Sequence, residues 1–150
     1  MLRRIVILCL LFLPITCVAQ QRQSRLPPRL MTAGMPYYPP LAEAAHITGW
    51  VQVRIKVERG KIVQAEVVQS EAKDRDSRVR KEITPWLCNS TLGYLKTWSF
   101  DSGIDTSFLV KFTYKIAGSE TDEPTTPKIE VLPSLDVNIT ARPIKPVVEY

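Results

Sequence analysis

The stretch GWVQVRIKVERGKIVQAEVVQS, residues 49–70, constrains the fold more than any other part of the chain. Val51, Val53, Ile55 and Val57 are apolar at every second position, and Gln52, Arg54, Lys56 and Glu58 fall between them. Beyond Arg59-Gly60 the alternation resumes with Val63, Ala65 and Val67. Strand side chains point alternately to opposite faces, so this pattern predicts two antiparallel strands with one dry face and one wet face. Gly60 fits the turn position where φ is positive and any side chain would clash.

The chain's strongest strand signal follows later. Phe108, Val110, Phe112, Tyr114 and Ile116 share one parity, and Leu109, Lys111, Thr113 and Lys115 share the other. Between these regions, Val79, Ile83, Trp86, Leu87, Tyr94, Leu95 and Trp98 recur at helical spacing, interrupted by Pro85. An interior proline costs about 3 kcal/mol, which predicts a short turn capped near Asp76 or Ser77 and then a separate helix. That helix runs from Pro85 to about Lys96, with Thr84 as its N-cap. Pro40 and the residues from Leu41 to Ala45 predict one or two further turns before Gly49. The expected class is α+β: a small three-stranded antiparallel sheet in the order β-β-α-β, with one main helix packed on a face.

The ends read differently. Arg3 and Arg4, the apolar run from Ile5 to Leu13, Pro14 and then Cys17-Val18-Ala19 have the layout of a cleavable signal peptide over residues 1–19. As a helix, residues 5–19 would reach about 22 Å against a hydrocarbon core of about 30 Å, so an uncleaved inner-membrane anchor is a short alternative. Lipidation at Cys17 is a third reading. The expected localisation is the periplasm. Residues 20–34 form an N-terminal linker in this reading, 35–117 the folded domain, and 118–150 a Pro-rich tail with an edge strand as one option. Within that tail, residues 128–132 and 135–141 are β-prone. A solvated tail and a piece paired with the domain's own sheet border both account for them.

Composition excludes several functions. Of 20 basic residues, Arg3 and Arg4 leave with the leader, and the remaining 18 against 15 acidic residues do not point to nucleic acid. Cys9 and Cys17 leave as well, so Cys88 can form no internal disulfide and reads as a small apolar helix residue. His46 is the only histidine, and no metal cluster is expected. There is no Gly-rich phosphate loop, and Asp101 and Asp105 lie in a polar loop rather than an apolar pocket. The expectation is a protein that is not an enzyme, with no cofactor and no small-molecule substrate.

Several pieces together resemble the C-terminal domain of the TonB family of energy transducers. They are Tyr38-Pro39 before an Ala-rich turn, Gly49 opening a strand, Gly60 at the hairpin, residues 67–70 closing the second strand, Trp98-Ser99-Phe100, and the strand over residues 108–116. The resemblance implies a periplasmic module that binds an extended peptide of an outer-membrane receptor or other envelope protein, in TonB-dependent transmembrane transport. It also implies structural roles for Tyr38, Pro39, Gly49, Gly60, Trp98 and Phe100. A small sheet has two borders of unpaired backbone groups, and a peptide strand can satisfy them. If the last strand is a border, Phe108, Val110, Lys111, Phe112, Tyr114 and Lys115 are the expected peptide-binding residues. Lys111 and Lys115 would suit an acidic peptide, or serve only as gatekeepers against aggregation. A homodimer is the other partner considered. The cleavable leader, and a spacer over residues 20–36 that reaches at most about 60 Å, separate this chain from a full transducer. An envelope adaptor unrelated to transport is the alternative.

Overall fold

The computed structural model of the protein describes residues 28–34, 36–73, 77–123 and 125–145. The expected leader, most of the linker, and Asp76 lie outside these residues. The elements in chain order are β1 (Leu30–Thr32), α1 (Pro40–Ala44), β2 (Thr48–Glu58), β3 (Lys61–Lys73), α2 (Ser77–Leu95), β4 (Ser99–Phe100), β5 (Thr106–Ile116), β6 (Lys128–Val131) and β7 (Val137–Ala141).

The hairpin forms where the alternation places it. Arg59 and Gly60 are its two loop residues, both in the left-handed region at φ 51° and 76°. This is the turn whose twist matches that of the flanking strands. Gly60 is further constrained because a Cβ there would collide with the Phe100 carbonyl. Val51, Val53, Ile55 and Val57 are all buried, each contributing about 1.5–3 kcal/mol relative to exposure. The return strand differs from expectation. Its register slips twice, leaving Val68 and Val63 as bulged residues without a partner on β2. Ile62 takes the inward place opposite Val57, and Val63 points to solvent.

The three-stranded expectation is overturned. The molecule is mostly β: a seven-stranded mixed sheet in the order β1-β4-β3-β2-β5-β7-β6, curled into a half-barrel with one main helix. The three strands read from the sequence are the central β3, β2 and β5. Four short strands from outside that reading extend the sheet at both ends, β1 from the expected linker and β6 and β7 from the expected tail. β7 pairs parallel to β5, and every other pairing between these strands is antiparallel. Val137, Ile139 and Ala141 alternate with Asn138 and Thr140 and are fully buried, so β7 belongs to the core and takes the inner position. β6 has only half-buried Ile129 to offer and lies outside it.

The helix is also unlike the expectation. α2 is continuous from Ser77 to Leu95 with Pro85 inside it. Pro85 cannot donate to the Lys81 carbonyl, but both residues are exposed, so water can take that bond and the cost of the break is reduced. Packing supplies the rest. Ile83, Leu87, Tyr94 and Leu95 are buried along one stripe of a helix that lies against β3 and β2. Gly49 permits the close approach, since a Cβ there would meet the Glu71 carbonyl and the Leu87 side chain. The buried Thr91 hydroxyl donates to the Leu87 carbonyl at 2.8 Å and lies 2.8 Å from the Tyr114 hydroxyl, fastening α2 to β5. No helix among the described residues is long and apolar enough to cross a membrane.

Candidate functional site

The six residues expected to form a peptide-binding edge lie on β5, and β5 is not a border strand. β2 pairs with it along residues 106–114, and β7 pairs with its other side along residues 112–116. Where β7 stops, Asp136 accepts the Lys111 backbone N–H at 2.8 Å. Among the described residues, no strand pairs with the other side of residues 106–110. Val110, Phe112 and Tyr114 are core residues, and Phe108 is half-buried against Phe100. Lys111 and Lys115 are exposed, and the Lys111 ammonium sits 4.7 Å over the Trp50 ring. β7 is a buried part of the sheet. Lifting Leu135, Val137 and Ile139 out of the core would cost on the order of 6 kcal/mol, which a visiting strand would have to offset.

The residues on which the resemblance rests pack inside the fold. Tyr38 is buried, donates to the Ile47 carbonyl at 2.6 Å, and meets Tyr114 edge to face at 5.4 Å. Burial raises the pKa of both tyrosine hydroxyls. Pro39 precedes α1, with Pro40 in its first turn. Trp98 and Phe100 are buried with Tyr94 and Phe112, with ring centroids 5.6–6.1 Å apart.

The long free border is on β3. Among the described residues, its outer side meets β4 at a single position, Lys61 opposite Ser99, and no strand pairs with it over residues 62–73. The reason lies in the chain's path. β4 begins at Ser99 because Thr97 and Trp98 turn back to close the end of α2, their N–H groups bonding the Tyr94 and Leu95 carbonyls at 3.0 and 3.1 Å. The row that β4 could have continued is thereby vacant.

Beside that row lies a groove of about 820 Å³, lined by residues 61–65 of β3, Asn89, Leu92, Gly93 and Leu95 of α2, and residues 96–99. Its apolar side chains come from Ile62, Val63, Ala65, Leu92, Leu95 and Trp98, and its charged ones are Lys61 and Lys96. A Cβ on Gly93 would meet nothing within 4 Å, so the helix is thinned there without any packing reason inside the molecule. The opposite sheet border, β6, has four residues, carries Lys128 and Glu130, and is flanked by Pro127 and Pro133. Such an edge is blunted against pairing.

This border was missed because it depends on where β4 starts, which no periodicity shows. A fainter signal exists in the doublets Ile62-Val63 and Val67-Val68, where adjacent apolar residues break strict alternation at the two bulges. Cys88 is a free, half-buried thiol on α2, packed against the core. No cluster of histidine, cysteine and acidic residues among the described residues could hold a metal ion. Compared with known proteins, the chain matches no family model and no curated protein.

Proposed function

We propose that the protein is an exported envelope module that binds by strand addition, taking an extended segment of an outer-membrane receptor or other envelope protein onto the open side of β3. The observation that carries this reading is the unpaired border over residues 62–73 beside an apolar groove. Backbone N–H and C=O groups in such a row are satisfied by an extended chain with little demand on its sequence, while the groove selects side chains. The proposed setting is the periplasm, with the leader cleaved, in support of TonB-dependent transport.

An adaptor role unrelated to transport is the second reading. It is favoured by the permanent cover of β7 over β5, the border expected to pair from the family resemblance. Hydrogen exchange tests the binding mode: addition of a peptide from a receptor plug should slow exchange of outward amides within residues 62–73 and leave β5 unchanged. Protection confined to β5 or β6 would overturn it. Co-purification separates the two settings, since a transport role requires an outer-membrane receptor or its motor subunits among the partners.

A further inference from the structure

We infer that the strand taken up on β3 is the end of a chain, running antiparallel to β3, with its terminal carboxylate held between Lys61 and Lys96. This rests on the strand-addition reading and specifies the partner. The row beside β3 is closed at one end, because Ser99 already occupies the place opposite Lys61. β4 is antiparallel to β3, so a visitor in the same row and the same sense meets Ser99 with its C-terminus. A parallel visitor would bring its N-terminal ammonium to that place.

The charges at the closed end decide between the two. Lys61 and Lys96 line the groove, its other polar lining side chains are neutral, and neither lysine enters an ion pair among the described residues. Glu58, across the hairpin from Lys61, is engaged by Lys56 at 2.7 Å. The end of α2 would by itself repel a carboxylate. There, however, Thr97 and Trp98 already bond the Tyr94 and Leu95 carbonyls, and Lys96 stands at the same end. An ammonium would face two like charges and a carboxylate two opposite ones. Gly93 leaves room for the visitor's last side chains against α2.

The test uses an eight-residue probe of alternating valine and serine in three forms: free acid, C-terminal amide, and free acid with every backbone amide nitrogen methylated. Binding is measured by titration calorimetry to the full chain at low salt. The free acid should bind, the amide about fivefold more weakly, and the methylated form not at all. In a Lys61→Gln/Lys96→Gln variant, whose changes are at exposed positions, the acid should fall to the level of the amide. Equal binding of acid and amide, with loss on methylation, overturns the carboxylate assignment and leaves strand addition standing. Binding of the methylated form, or no binding by any form, overturns both. So does a stable dimer by sedimentation whose β3 amides are already protected.

Discussion

Two residues carry costs that chemistry can remove. Arg59 sits in the left-handed region, which a side chain other than Gly, Asn or Asp tolerates poorly, and its N–H is held by Asp105 at 2.7 Å. Arg59→Asn keeps that backbone bond and supplies the residue this turn prefers. It should stabilise the protein by about 0.5–1 kcal/mol in urea denaturation. Glu43 on α1 is 4% exposed, with one carboxylate oxygen lacking any partner, and burial raises its pKa. A carboxyl with a raised folded-state pKa binds its proton more tightly in the native state, so stability falls as pH rises from the ordinary carboxylate range toward the folded value. Glu43→Gln should therefore be more stable than the wild type by about 1 kcal/mol at pH 7. The difference should shrink as pH is lowered through that window, and a gap constant from pH 4 to pH 7 would refute the assignment.

Among the elements, α2 holds the sharpest prediction. Gly93 costs helix stability and fills no packing need, so Gly93→Ala should raise stability by about 0.5–1 kcal/mol while narrowing the groove and weakening the peptide. A variant that gains stability and keeps full affinity would show that the groove does not contact the ligand. The elements also mark how far the sequence could be read. Residues 51–57 and 108–116 gave their strands because alternation is a local property of one chain segment. The placing of Val63 failed because a bulge is fixed by the partner's register, and the break at Pro85 failed because tertiary packing overrides propensity. β6 and β7 were left open because residues 137–141 are too few to declare their depth until β5 lies beside them. The candidate site was less legible still, since it is made by the absence of a pairing between segments far apart in the chain.

At the scale of the molecule, the C-terminal strands are part of the core rather than an appendage. A chain ending at residue 117 would lose Leu135, Val137, Ile139 and Ala141 and uncover the side of β5 over residues 112–116. It should lose cooperative unfolding and become prone to aggregation, as followed by circular dichroism and light scattering. A truncated chain that melts as sharply as the full one would mean that the sheet closes without them. The paired bulges on β3 then have a kinetic meaning. Val63 and Val68 bracket four regular residues, roughly 13 Å of ladder, so a guest reaching from Lys61 toward Lys73 meets regular pairing only in short runs interrupted at the two bulges. A guest held over so short a run would be released quickly, so the proposed pairing should show fast exchange rather than a long-lived complex.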